Sequence, residues 1–115
     1  MPRATAPTPR AGGTWTEARY WQFVRSLLRK GSVRWPPRSM ALKAARRPYS
    51  GPNPRQRWEY QCKLCGLWWA ATAVQVDHIE PCGNLAGDVA GFVERLFCEP
   101  DGLRVLCREC HKGLE

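Results

Sequence analysis

Hydrophobic residues recur at the spacing of an amphipathic helix between residues 14 and 31. Thr14 can cap this helix, Glu17 completes a capping box three residues later, and Gly31 can end it. The apolar stripe consists of Trp15, Ala18, Trp21, Val24 and Leu28, with Phe23 and Leu27 beside it. The other face carries Arg19, Arg25, Arg29 and Lys30. The pattern predicts a helix that packs through one face and exposes a basic one.

A second, shorter helix is indicated between Pro37 and Pro48. Proline is favoured in the first turn of a helix and cannot continue one, so these two residues mark its ends. Residues 49–57 have the glycine, proline and asparagine content of a linker. We therefore expect residues 14–57 to form a basic two-helix extension with its linker, preceded by a flexible, low-complexity arm at 1–13.

Short strand patterns dominate the chain after residue 57. Strands are predicted at 58–62, at 103–106, and on both sides of a small-residue turn within 67–79. Helical spacing recurs between residues 87 and 97, and a last helix can open at Cys107. The chain is therefore expected to be α+β, with residues 58–115 as its second unit.

Charge divides the chain into a basic and an acidic half. Residues 1–61 hold 13 Lys/Arg against 2 Asp/Glu, and residues 62–115 hold 5 against 8, for a net charge of +8. A basic half of this density can neutralise phosphates and give salt-sensitive affinity for nucleic acid. A solvated surface kept for solubility is the alternative interpretation.

Six cysteines suggest that a small core is supported by metal or by disulfides. Four of them form two C-x-x-C pairs, Cys62 with Cys65 and Cys107 with Cys110. The sequence shows no apolar leader or membrane span, so we expect a cytoplasmic protein, in which such pairs favour a structural zinc ion over disulfides. Cys82 is interpreted, like Cys98, as an ordinary thiol packed as a small hydrophobe.

The segment between the two pairs is too long for a simple zinc finger. It contains 41 residues, whereas structural fingers separate their pairs by about 15–20. Within it, Asp77 and His78 are adjacent at the end of an apolar alternating run. If the four cysteines complete a tetrahedral site, His111 is free to serve elsewhere and can be held near these two residues. One carboxylate and two histidines make a candidate site for a second metal and a general base, although His78 can also be merely structural.

In this order, the stretches CKLC, VDHIEP and LRVLCRECH resemble the HNH endonuclease family, especially its compact zinc-braced versions from bacteriophages. The resemblance covers residues 58–113. It implies a zinc-stabilised ββα-metal fold, with one strand ending at Asp77 and His78, a second near 103–106, and a helix that carries His111. It also implies action on DNA beside a phage terminase, in the cytoplasm of the host cell.

The resemblance also implies residue roles. His78 would be the general base that deprotonates an attacking water, and Asp77 and His111 would hold a divalent ion, Mg²⁺ or Mn²⁺, on the scissile phosphate. Imidazole is the side chain best suited to accept a proton near neutral pH, which agrees with this assignment.

One position departs from the family's pattern. The middle asparagine of the family would stand at Gly102, so Asp101 or Glu99 must substitute for it if the site is active. The loss of this asparagine favours an alternative, a non-catalytic zinc module that binds DNA or a host or packaging protein.

Arginines that flank the linker are the candidate DNA-binding residues. They are Arg46, Arg47, Arg55 and Arg57. They can follow a phosphate backbone, and a solvated loop is the alternative. Adjacent Trp68 and Trp69 can stack on bases, but in a strand they would more simply divide between core and surface.

Overall fold

The computed structural model describes residues 8–114 and shows a mixed α+β protein. The helices are α1 (Glu17–Ser32), α2 (Pro36–Ala45), α3 (Val89–Leu96) and α4 (Arg108–Lys112). The strands are β1 (Arg46–Pro48), β2 (Trp58–Gln61), β3 (Trp68–Trp69), β4 (Val74–His78) and β5 (Leu103–Cys107). Single 3-10 turns at Ala71–Ala73 and Pro100–Gly102 precede β4 and β5. The α+β expectation is confirmed, and among the described residues no helix combines the length and apolar character that a membrane crossing requires.

The N-terminus of α1 differs from the prediction. Thr16 is the N-cap, and its hydroxyl accepts the Arg19 N–H at 3.1 Å. Thr14 instead donates its hydroxyl to the Ala11 carbonyl at 2.7 Å, so the predicted Thr14 cap and its capping box with Glu17 are wrong. Thr16 serves as the cap because the chain turns back on itself just before it.

That turn is stabilised by Arg10, which belongs to the predicted flexible arm. Its guanidinium donates to the Glu17 carboxylate at 2.8 Å and lies 4.0 Å from the centre of the Tyr20 ring. Glu17 is therefore engaged with Arg10. Residues 1–7 of the predicted arm lie outside the described residues, and the arm is attached to α1 from Arg10 onward.

The apolar stripe of α1 packs on α3. Trp21, Val24 and Leu28 contact a buried cluster that includes Phe92 and Leu96, which are 0% and 1% exposed. The other members of that cluster are Cys82 and Leu85. Trp15, predicted for the same stripe, instead meets the edge of the Phe23 ring, whose residue is 48% exposed. The N-terminal extension thus shares a core with the second half of the chain.

The segment around α2 agrees with the prediction except at its end. The helix runs from Pro36 to Ala45, but the chain then forms β1, a strand that was not predicted. β1 pairs antiparallel with β2, and β2 pairs antiparallel with β3. Residues 49–57, predicted as a linker, contain no helix or strand. The linker therefore connects two adjacent strands of one sheet.

A second sheet consists of β4 and β5. They pair antiparallel, with Val74 opposite Cys107, Asp77 opposite Arg104 and His78 opposite Leu103. The strands predicted at 58–62, within 67–79 and at 103–106 are present, as are the helices predicted within 87–97 and after β5, and α4 follows β5 without a loop. Leu106 is completely buried, in a cluster with Cys62 and Cys107 that Trp69 and Cys110 pack against.

Candidate metal centre and adjacent cleft

The four cysteines of the two C-x-x-C pairs form one cluster. Their sulfur atoms all lie within 4.8 Å of one another, and the Sγ atoms of Cys65 and Cys107 are 4.0 Å apart. Cys62 and Cys65 come from the turn between β2 and β3, whereas Cys107 ends β5 and Cys110 lies on α4. Four thiols at this separation can hold one tetrahedral metal ion such as zinc.

Both pairs present their sulfurs through backbone hydrogen bonds. The Cys65 N–H donates to Cys62 Sγ at 3.5 Å, and the Cys110 N–H donates to Cys107 Sγ at 3.4 Å. Gly66 adopts a φ of 75°, a left-handed conformation that glycine accepts without strain, and its N–H closes the first turn on the Cys62 carbonyl. The second pair needs no such glycine because Cys107 is the N-cap of α4.

The thiols of the cluster differ in acidity. Burial opposes ionisation of Cys62, but hydrogen bonds from the backbone of Cys65, Cys107 and Leu64 outweigh it and lower its pKa to about 6. Hydrogen bonds to the sulfurs of Cys107 and Cys62 raise the pKa of Cys110 to about 12. Without metal the cluster thus favours a thiolate at Cys62 and a protonated thiol at Cys110, and a bound cation would displace the Cys110 proton.

Asp77 and His111 are close together, as the sequence predicted. Asp77 lies near the end of β4, and its Oδ1 is 3.5 Å from His111 Nε2 on α4. Its Oδ2 accepts a hydrogen bond from Arg104 Nε at 3.1 Å, and Arg104 Nη2 lies 3.1 Å from the same oxygen in an ion pair. Sequence reasoning missed Arg104, although a paired-strand register that sets residue 77 opposite residue 104 would have identified it.

His78 points to a different partner. Its Nε2 is 2.9 Å from the Leu96 carbonyl at the end of α3. A carbonyl oxygen only accepts, so Nε2 carries the proton and, in the neutral ring, Nδ1 keeps its lone pair. The contact fixes both the tautomer and the orientation of the imidazole.

Asp77 and His78 line one cleft, of about 500 Å³. Arg104 lines it too, and so do Arg25 and Arg29 of α1, which sequence reasoning had assigned to no site. His111 does not line this cleft; it lines a separate hollow with Val74 and Gln75. Asp77, which does line the cleft, contacts the α4 histidine through its Oδ1 at 3.5 Å.

Asp77 and His111 fit a divalent ion that takes few protein ligands. Among residues 8–114, the group of three or more metal-binding side chains is the cysteine cluster alone. An ion at Asp77 and His111 would take its remaining ligands from outside the protein, and Mg²⁺ commonly keeps several waters. The two donors do not form a closed protein cage.

The position of the family's middle asparagine is sterically restricted. A Cβ at Gly102 would lie 2.9 Å from Cys98 Sγ, and the Gly102 carbonyl accepts the Ile79 N–H at 3.0 Å. Asp101, the predicted substitute, lines a second cleft beneath α2 rather than the cleft of His78. Glu99 is the N-cap of the turn before β5 and makes no side-chain cap hydrogen bond. The group that orients His78 here is a backbone carbonyl.

The predicted DNA-binding arginines form two groups. Arg46 stacks over Trp58 at 3.9 Å, and Arg47 stacks over Trp68 at 3.8 Å while its Nε donates to Glu59 at 2.6 Å. These two arginines thus cover the β1–β2–β3 sheet.

Arg55 and Arg57 are exposed in the linker and line a shallow hollow together with Trp58 and Tyr60. None of the four predicted arginines lines the cleft of Asp77.

Comparison of the chain with protein-family models, curated proteins and solved structures finds no match. The geometry of the cysteine cluster and of the cleft at Asp77 and His78 is therefore the basis for a function of this chain.

Proposed function

We propose that this chain is a metal-dependent endonuclease of the HNH type that hydrolyses phosphodiester bonds in DNA. The observation that carries the proposal is the arrangement of three side chains at the β4–β5 hairpin. Asp77 lies 3.5 Å from His111, and the neighbouring His78 is held by a backbone carbonyl with its Nδ1 lone pair available. The strand–strand–helix order around these residues agrees with the ββα-metal resemblance.

In the proposed reaction, His78 activates water. Nδ1 accepts a proton from a water molecule as its oxygen attacks phosphorus, and the bond to the leaving oxygen breaks. The imidazolium that forms stays hydrogen-bonded through Nε2 to the Leu96 carbonyl. Leu96 is buried in the core, so the base is anchored on a rigid element.

Asp77 and His111 are the proposed ligands of the catalytic ion. When bound, a divalent cation would neutralise charge on the non-bridging and leaving oxygens of the phosphate. Arg104 donates a hydrogen bond from Nε to Asp77 and forms an ion pair with it, which fixes the direction of its carboxylate. The cysteine cluster is proposed to hold the structural zinc ion that joins α4 to the β2–β3 turn.

A second candidate is a non-catalytic zinc module that binds DNA or a protein partner. The specific observation in its favour is the ion pair between Asp77 and Arg104, which already neutralises the carboxylate that would otherwise bind metal. In this function Arg104 would take the place of the divalent ion, and Gly102 would reflect the loss of catalysis.

A supercoiled plasmid distinguishes the two candidates. Incubation of the zinc-loaded protein with plasmid and Mg²⁺ or Mn²⁺ should give nicked or linear DNA, and EDTA should stop the reaction. The matched control is His78→Ala, in which the zinc cluster and the Asp77–His111 pair are untouched. Intact plasmid at protein excess with either ion, combined with measurable DNA binding, would establish the non-catalytic module instead.

A further inference from the structure

Two arginines of α1 lie beside the proposed active site. Arg25 and Arg29 line the same cleft as Asp77 and His78, although α1 is some fifty residues away in sequence and outside the segment that resembles a nuclease. Both are exposed, and within residues 8–114 neither takes part in an ion pair with a carboxylate. In the described part of the chain they are cations without a counter-charge.

Packing determines which way these arginines face. Val24 and Leu28, each the residue before one of the arginines, lie against the buried cluster of α3. That contact fixes the rotation of α1 about its axis. Arg25 and Arg29 are one turn apart, so their side chains start about 5–6 Å from one another on the same side of the helix. Their approach to the cleft is set by the core.

The charge of the cleft favours an anion. Among residues 8–114, the cleft is lined by three arginines and a single carboxylate, and Arg104 already pairs with that carboxylate. Arg25 and Arg29 therefore leave an excess of two positive charges. Guanidinium groups bind phosphate oxygens through two parallel N–H donors. A phosphodiester backbone carries one anion at each successive phosphate, so it can engage two neighbouring arginines at once.

We propose that Arg25 and Arg29 bind the DNA backbone at the phosphate next to the one that faces Asp77 and His78. This inference rests on the proposed function, because it assigns the cleft to a DNA strand. If Arg25 and Arg29 bind DNA, α1 forms one wall of the proposed active site. The residues that position DNA there then differ from the arginines predicted from the sequence, which are Arg46, Arg47, Arg55 and Arg57. The two arginines are positioning residues and do not touch the reacting atoms.

The test compares two pairs of substitutions that remove the same charge. Arg25→Gln with Arg29→Gln removes the pair in the cleft. Lys30→Gln with Arg34→Gln removes two exposed charges at the same spacing that do not line the cleft. Full-length, zinc-loaded protein is titrated with a labelled duplex oligonucleotide over a range of salt concentrations. Mg²⁺ and Mn²⁺ are left out so that the probe stays intact.

Arg25→Gln with Arg29→Gln, the cleft pair, should weaken DNA binding by about tenfold or more at 0.1 M salt. The slope of the logarithm of the association constant against the logarithm of salt concentration should become shallower by about 2, since each lost phosphate contact contributes about 0.9. The control pair should leave the slope unchanged. Equal losses in both variants, or no loss in the cleft pair, would overturn the proposal. Zinc content and melting temperature verify that the variants are folded, and Arg25→Lys with Arg29→Lys should recover most of the salt slope.

A DNA-cleavage assay distinguishes failure of the arginine site from failure of the proposed nuclease function. If the parent protein binds duplex DNA but never cuts it, the nuclease fails, while a selective loss in the cleft pair would still establish the arginine site. If the parent cuts and the cleft pair cuts with unchanged KM, the arginine site fails and the nuclease stands. A parent protein that neither binds nor cuts DNA would overturn both.

Discussion

At the scale of single residues, the two histidines have separate partners and should have separable functions. His78 Nε2 is bonded to the Leu96 carbonyl, whereas His111 Nε2 faces Asp77. A base and a metal ligand can both be essential for cleavage, yet only the ligand contributes to ion affinity.

His78→Ala should reduce cleavage by about two to four orders of magnitude and leave Mn²⁺ affinity close to the parent's, since proton transfer is lost but the metal donors remain. His111→Ala should also stop cleavage but weaken Mn²⁺ binding by about tenfold or more. Calorimetric titration of zinc-loaded protein with Mn²⁺ measures the difference. If His111→Ala instead released zinc, the histidine would belong to the structural site.

The glycine at position 102 is explained by its neighbour. A side chain there meets Cys98 Sγ at 2.9 Å and Cys98 Cβ at 3.2 Å. Gly102→Asn should therefore lower the free energy of unfolding by about 1–3 kcal/mol through overpacking. Cys98→Ala in the same protein removes the closer contact and should recover most of the loss. Urea denaturation of the single and double variants measures this, and an unchanged midpoint for Gly102→Asn alone would contradict the steric explanation.

At the scale of elements, local signals located the helices and strands but not their tertiary partners. The apolar periodicities that predicted α1 and α3 are present in the fold because each helix packs one face against the same buried cluster. β1 was missed because it is three residues long and is stabilised by pairing with β2, a contact that no local pattern contains. The Thr14 cap was wrong for a similar reason, since the Arg10–Glu17 ion pair decides where the chain enters α1.

Helix capping gives a direct test of that entry. Thr16→Ala should cost about 1 kcal/mol of stability because the Arg19 N–H loses its acceptor. Thr14→Ala is the matched control and should cost less, since its hydroxyl only donates to a turn carbonyl. Thermal unfolding followed by circular dichroism compares them. A larger effect at Thr14 would restore the capping box that the sequence suggested.

At the scale of the whole molecule, the cysteine cluster joins elements that are distant in sequence. Cys65 and Cys107 lie 42 positions apart, and their sulfurs are 4.0 Å apart. The two C-x-x-C pairs were sufficient to predict this cluster, because two such pairs in one chain are typical of a shared metal site. The predicted cluster in turn implied that Asp77 and His111 lie close together. Arg25 and Arg29 could be placed only by the packing of α1, and Arg104 only by the register of β4 and β5.

Removal of the metal should have a large effect on so small a core. Cys107→Ser, or prolonged chelation, should abolish the cooperative unfolding transition of the second half of the chain. Cys82→Ala is the control: it removes a buried sulfur from the other cluster, should cost about 1 kcal/mol, and should retain zinc. Calorimetry with elemental analysis measures both. A chelated protein with the parent's melting temperature would exclude a structural metal at the cysteines.

The pairing of Val74 with Cys107 has a consequence for how the gene can change. Cys107, a proposed metal ligand, belongs to the same strand as Arg104, three residues away, so a metal bound there would also fix the alignment of β5 against β4. A single inserted codon between Arg104 and Cys107 would turn Arg104 to the opposite face, because side chains alternate along a strand. Insertions and deletions in that stretch should be lost from functional variants far more often than substitutions.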